Sequence, residues 1–294
     1  MAYKFIGKKC NLDNIEINYL DEGNGFPIVL IHGFPQSSYA WRSIIPGLKN
    51  DFRVIAPDLR GMGESSCSHT GQDKRTLASD IIKLLNFLNI EKCIVVGHDW
   101  GGSVAQRLAL EYPSYLSGLI SMGIPYMPTA KIEELTNPRQ IFNNWYFFFH
   151  QMQKLPEIFI SKAGREYIAW MMEYGSSKKI LPIDDIVLEK YASDFSDESK
   201  TPAYLNLYRT LFTQDPKDWK QYVDKVITVP TLWILAKDDP FVPPHMSANI
   251  ADKFSNIQIE TFNECGHWIP EEQPEACLEA IREFSKTQSL ARVC

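Results

Sequence analysis

Residues 95–102 read V-V-G-H-D-W-G-G. An apolar run that enters Gly-x-(nucleophile)-x-Gly and leads into a helix makes a sharp strand-to-helix turn, which lifts its central side chain above the sheet. Gly97, Gly101 and Gly102 leave out the Cβ atoms that would crowd such a turn. The side chain at the tip is Asp99, where this frame usually carries a serine. A carboxylate nucleophile displaces at saturated carbon and forms an alkyl ester, whereas a serine attacks a carbonyl. The substrate must then carry its own leaving group on carbon, such as an epoxide oxygen or a halide. A lone turn aspartate often only bonds its own backbone, but here the whole frame surrounds it.

An alkyl ester has to be hydrolysed, and that requires a base for water. The segment E-C-G-H-W-I-P offers His267 directly after the last predicted strand. The acid that holds its imidazole in the right tautomer comes from A-K-D-D-P-F-V-P, as Asp238 or Asp239. Asp239, just before Pro240 at the tip of the turn, is the favoured one, and Glu264 reads as a solvated loop residue. After the strand that ends at Ile31, I-H-G-F-P-Q places the amide of Phe34 opposite the nucleophile. With the amide of Trp100 it makes an oxyanion hole. His32 and His98 each flank a glycine turn and read as structural hydrogen bonders.

These groups need a scaffold that brings residues far apart in the chain to one edge. Short apolar, β-branched runs at 15–20, 27–31, 52–56, 92–96 and, more weakly, 119–122 read as strands. Between them 76–88 repeats Leu77, Ile81, Leu84, Leu85 and Leu88 at spacings of three and four, so one helical face is apolar. Alternating strand and helix implies a mostly parallel sheet. The alternation breaks at I-P-Y-M-P-T, residues 124–129. From there to about Pro216 the chain is rich in aromatics and reads as a helical insertion. Strands return at 231–235 and 257–261, and 271–287 reads as one helix whose acidic start suits its dipole.

Composition narrows the ligand. With 294 residues and 45% hydrophobic content the chain buries a large core. A net charge of -6 without a basic stripe speaks against a nucleic-acid partner. The six cysteines lack C-x-x-C pairing, which argues against a zinc site and for reduced thiols in a cytoplasmic protein. No apolar run approaches the roughly 20 residues that span a bilayer, and the N-terminus lacks the apolar core of a signal peptide.

Taken jointly, H-G-F-P (His32 to Pro35), D-L-R-G-M-G-E-S (Asp58 to Ser65), G-H-D-W-G-G (Gly97 to Gly102) and G-H-W (Gly266 to Trp268) resemble the α/β-hydrolase superfamily, in its epoxide hydrolase and dehalogenase branch. The resemblance spans nearly the whole chain. It implies an eight-stranded, mostly parallel sheet flanked by helices, with a helical cap at 127–216 inserted between core segments 1–126 and 217–294. It also implies two cap side chains that hydrogen-bond an epoxide oxygen: Tyr146, from W-Y-F-F-F-H-Q, and Tyr208, from L-N-L-Y-R-T, in a more polar setting beside Arg209. A phenol suits that role because it stays protonated at neutral pH. Trp145 and Phe149 are expected to bind substrate in an apolar pocket.

The expected activity is an epoxide hydrolase that makes a vicinal diol, acting on a small hydrophobic substrate and water with no metal and no cofactor; a homodimer is compatible with it. A haloacetate or haloalkane dehalogenase would use the same Asp/His/Asp set, but Phe34 stands where such enzymes often carry an asparagine donor. Trp100 stands where the haloacetate enzymes carry an arginine, and Arg107 reads as a surface residue. A non-enzymatic binding protein is a distant third, since a pure binder has no use for a water-activating pair.

Overall fold

The computed structural model describes residues 5–130, 138–196 and 199–290. Eight strands form one sheet: β1 (Lys8–Leu12), β2 (Ile15–Glu22), β3 (Phe26–Ile31), β4 (Phe52–Pro57), β5 (Cys93–His98), β6 (Leu116–Met122), β7 (Thr231–Ala236) and β8 (Ile257–Phe262). Their order is β1-β2-β4-β3-β5-β6-β7-β8, antiparallel across β1/β2 and β2/β4 and parallel elsewhere. The seven expected strands are all present. The eighth, β1, escaped the pattern because it is an edge strand, K-K-C-N-L, in which only Cys10 and Leu12 are buried.

The central strands carry unbroken apolar runs because both faces are covered. Along β3, Ile28 and Leu30 face one layer, with the C-terminal helix, while Val29 and Ile31 face the other, and all four are fully buried. The second layer contains α1 (Lys74–Phe87), whose N-cap Asp73 accepts from the Thr76 amide at 2.9 Å, and α2 (Trp100–Glu111). The chain leaves β3 for β4 on one side and returns to β5 on the other. The carboxyl ends of β3 and β5 therefore border a topological switch point, where open α/β sheets place their ligands.

Between β6 and β7 the described residues contain no strand, only helices, as expected for the insertion: among them α3 (Trp145–Gln151), α4 (Leu155–Gly175), α5 (Asp185–Ser196), α6 (Thr201–Arg209) and α7 (Asp215–Lys220). The expected limit at 216 falls inside α7. The expected single helix at 271–287 is divided into a turn, Ile269–Glu272, and α8 (Pro274–Leu290). Pro274 has no N–H to continue the first turn. The acidic start also does more than face a dipole. Glu271 accepts two hydrogen bonds from Arg42, at 2.8 and 2.5 Å, and one from the Tyr191 hydroxyl at 2.6 Å, which ties α5 to the core. Cys10, Cys67, Cys93, Cys265 and Cys277 are free thiols, and Cys294 lies outside the described residues. No described helix is long and apolar enough to cross a membrane.

Leu30 has no exposed surface and sits in the middle of the parallel strands. Leu30→Ala should cost about 2–5 kcal/mol, read as a lower urea midpoint at unchanged slope. A loss well under 1 kcal/mol would contradict a close-packed sheet core at this position.

Candidate active site

Asp99 stands at the end of β5 with φ 53° and ψ −129°, a region that side chains other than glycine rarely occupy. Three backbone bonds hold it there: its amide donates to the Met122 carbonyl at 3.0 Å, and its carbonyl accepts from the amides of Gly102 at 2.8 Å and Ser103 at 3.3 Å. The turn presses on β3 so closely that a Cβ on Gly101 would collide with the carbonyls of Ile31 and His32. Gly33 passes equally close to the Asp99 carboxylate. That passage brings the Phe34 amide to Asp99 Oδ1, donating at 2.7 Å. The Trp100 amide, in the first turn of α2, has no carbonyl four residues back within the helix and so stands outside the helix ladder. The second carboxylate oxygen, Oδ2, lies 3.4 Å from His267 Nε2.

His267 Nδ1 donates to Asp239 Oδ2 at 2.8 Å. Asp239 Oδ1 accepts the amides of Phe241 and Val242 at 2.8 and 2.9 Å, so the carboxylate is buried and fully engaged. Asp238, its neighbour, is exposed. Burial opposes a charged His267, but the Asp239 and Asp99 carboxylates outweigh it and push its pKa up to about 10. Burial likewise disfavours ionised Asp239, yet the imidazolium and the two amides hold its pKa below the usual value.

Glu272 clamps the histidine loop by accepting the Gly266 and Trp268 amides at 3.0 and 3.1 Å. His98 Nε2 donates to the His267 carbonyl at 2.7 Å, and burial pulls the His98 pKa down to about 4, so it stays neutral. His32 donates from Nδ1 to the Gly33 carbonyl and accepts the Leu59 amide on Nε2, both at 3.0 Å. Each of these two rings serves the turn it flanks.

The insertion brings Tyr146 and Tyr208 to this edge. Their rings meet edge to face at 5.6 Å, and Tyr208 also packs against Phe34 and Trp100 at 5.1 Å each. Burial, and then the Asp99 charge, hold the Tyr146 phenol well above its ordinary pKa; burial, Tyr146 and Asp99 do the same for Tyr208. Both phenols therefore stay protonated at neutral pH. The setting of Tyr208 is aromatic, against the polar one expected beside Arg209. The Arg209 side chain turns away to the carbonyls of His150 and Met152 and to Glu157.

Trp145 and Phe149, expected to bind substrate, do not reach the cavity. On α3 they are four residues apart and share its outer face, where Trp145 packs on Trp170 at 5.3 Å and remains partly exposed. Tyr146 and Phe147 line the cavity in their place. The cavity holds about 300 Å³, with Asp99 and His267 in its wall. Most of the lining is apolar, and Ile124, Met127 and Met246 come from core loops that carry no motif. Asn144 and Lys220 are polar lining residues that sequence reasoning missed; Asn144 accepts from the Tyr146 hydroxyl at 3.3 Å. Arg107 is buried, not on the surface as expected, and pairs with Glu111 at 2.8 Å. The described residues contain no group of three or more His, Cys, Asp or Glu side chains placed to hold a metal ion.

A histidine whose folded pKa lies near 10 against an ordinary 6.5 adds stability that is complete below about pH 6.5 and is lost as pH rises through 10. The gap in melting temperature between the protein and its His267→Gln variant should narrow from pH 6.5 to 10. A gap that stays constant over that range would rule out the charged imidazole.

Comparison with known proteins agrees with this geometry. A family described as the alpha/beta hydrolase fold matches residues 27–274. The chain is 31% identical to the soluble epoxide hydrolase of Corynebacterium sp. (strain C12), over 97% of this chain and 98% of that one. It is 30% identical to epoxide hydrolase 4 of Mus musculus, over 94% of this chain and 77% of that protein. Among solved structures, the epoxide hydrolase CorEH superposes with a TM-score of 0.86 at 27% identity, covering 97% of this chain and all 100% of that one. The chain therefore belongs to the alpha/beta hydrolase family, and it is a hydrolase of the epoxide hydrolase type.

Proposed function

We propose that the chain opens small hydrophobic epoxides to vicinal diols through an alkyl ester on Asp99, with the helices at 127–216 acting as a cap over the site. The observation that carries this reading is the pairing of an amide-held carboxylate with a buried neutral phenol, Tyr146, in the wall of one apolar cavity, with a second buried phenol, Tyr208, packed against Tyr146. Asp99 Oδ2 attacks a ring carbon, the carbon–oxygen bond breaks, and the departing alkoxide takes a proton from Tyr146 or Tyr208. Oδ1, already bonded to the Phe34 amide, becomes the ester carbonyl oxygen.

Esterification removes one of the two negative charges that hold the His267 proton. The imidazolium then gives that proton up, restoring the phenol, and the neutral imidazole can accept a proton from water. The resulting hydroxide attacks the ester carbonyl carbon while the Phe34 and Trp100 amides stabilise the oxyanion. Collapse releases the diol and returns Asp99 and the imidazolium, so the sum is epoxide plus water. Asp239 holds the ring and its charge throughout. The free thiols and the cavity fit a cytoplasmic enzyme whose partners are a small hydrophobic substrate and water.

One observation favours a second reading, a dehalogenase. The Trp100 indole N–H is buried without a well-aligned partner and would suit a departing halide. Against it, Phe34 offers no side-chain donor beside Asp99, and Arg107 is paired elsewhere and so not free to receive a carboxylate.

Asp99→Asn should lose at least about a thousandfold in turnover with styrene oxide. His267→Gln should still attack but stall, accumulating an adduct equal to the whole epoxide mass on Asp99, read by intact-protein and peptide mass spectrometry. Undiminished Asp99→Asn activity without deamidation rejects the mechanism. An adduct from a bromoalkane equal to substrate minus HBr, with none from the epoxide, favours the dehalogenase. Tyr208→Phe should slow adduct formation on the order of 10- to 100-fold, with Tyr146 still in place.

A further inference from the structure

Lys74 opens α1 with a side chain that has no exposed surface. Its ammonium lies 2.8 Å from Asp215 Oδ2, donates to the Leu207 carbonyl at 2.5 Å and to Thr210 Oγ1 at 3.1 Å, and sits 4.0 Å above the Trp100 ring centre. Taking an ammonium fully out of water costs several kcal/mol before its partners offset it, and an apolar side chain would fill the same space without that cost. The partners explain what such a residue would hold together. Leu207, Thr210 and Asp215 all lie in the segment between β6 and β7, and Trp100 directly follows the nucleophile. One buried cation thus joins the end of α6 to the Asp99 turn.

Tyr208 is the residue this joint locates. The Leu207 carbonyl belongs to the peptide that leads into Tyr208, and the Tyr208 ring stands perpendicular to the Trp100 indole at 5.1 Å. The indole N–H, which favours the phenolate of Tyr208, is carried by the ring that the ammonium covers. We propose that Lys74 is a positioning residue for ring opening: it fastens α6 onto the nucleophile turn and so holds Tyr208 within reach of the leaving oxygen. This inference rests on the reading of Tyr208 as a proton donor to the epoxide.

The test is a double-mutant cycle in the His267→Gln background, following the rate of Asp99 adduct formation from styrene oxide by intact-protein mass. Lys74→Met should slow it by about tenfold or more, comparable to Tyr208→Phe. The double variant should be no slower than Tyr208→Phe alone, because residues that act as a unit are not additive. A merely structural lysine would multiply its loss with that of the tyrosine, and that result, or an unslowed Lys74→Met, overturns the proposal. Lys74→Met leaves Asp215 buried and unpaired, so Lys74→Met/Asp215→Asn is measured beside it, with thermal melting to report the fold. Unfolding of both makes the lysine purely structural and also overturns the proposal. An unslowed Tyr208→Phe removes the donor role of Tyr208, while absence of any adduct removes the ester mechanism; in either case the positioning role falls with it.

Discussion

A buried imidazolium between two carboxylates is the constraint on which this site depends. His267 touches Asp239 at 2.8 Å and Asp99 at 3.4 Å, and all three groups are withdrawn from water. Such a cluster survives burial only when every lone pair and proton has a partner. The amides of Phe34 and of the adjacent Phe241 and Val242 supply such partners from two distant points of the chain. In the reaction proposed above, alkylation of Asp99 would break this balance of charge and change the task of the histidine from counter-ion to base.

The sheet supplies the precision that this balance requires. The crossing at β3 and β5 puts the Phe34 loop and the Asp99 turn side by side, and glycines at 33 and 101 allow the approach. The β7 and β8 ends deliver Asp239 and His267, with Glu272 and His98 fixing the loop that carries the base. Side chains that look catalytic in a list of titratable groups turn out to be supports for the few that face the cavity.

The helical insertion shares one buried apolar cluster with the core and is also attached by polar contacts at specific points. Arg42, Tyr191 and Glu271 form one attachment, Tyr204 and Asp194 meet the Gly63 amide at a second, and Lys74 with Asp215 makes a third. Directional bonds of this kind fix where a helix sits, which matters when a phenol must meet one oxygen atom. The aromatic cluster of Phe34, Trp100, Tyr146, Phe147 and Tyr208 then excludes water around it.

Much of this was legible in the chain alone. Strong local signals are short-range physics: apolar runs that must be strands, a three-and-four spacing that must be a helix, a glycine frame that must be a tight turn. They located the Asp99 turn, the His267 loop, the Phe34 amide that meets Asp99, and seven of eight strands; the edge strand β1 was lost because an exposed strand carries little apolar pattern. The place of Asp239 before Pro240 favoured it over Asp238 in sequence, but what each carboxylate meets across the fold, the His267 ring or solvent, was decided by the tertiary structure. The same holds for the face of α3: Trp145 and Phe149 point outward while Tyr146 and Phe147 point in, although all four read as one aromatic run. Arg107 reads as a surface residue in sequence and Lys74 carries no motif there; the burial of both, and the pairing of Lys74 with Asp215, depend on neighbours that no local window contains. The chain by itself determined the family, the fold and the elements that carry the candidate site. Which atoms meet was decided by long-range packing, because burial, pairing and pKa depend on neighbours far away along the sequence.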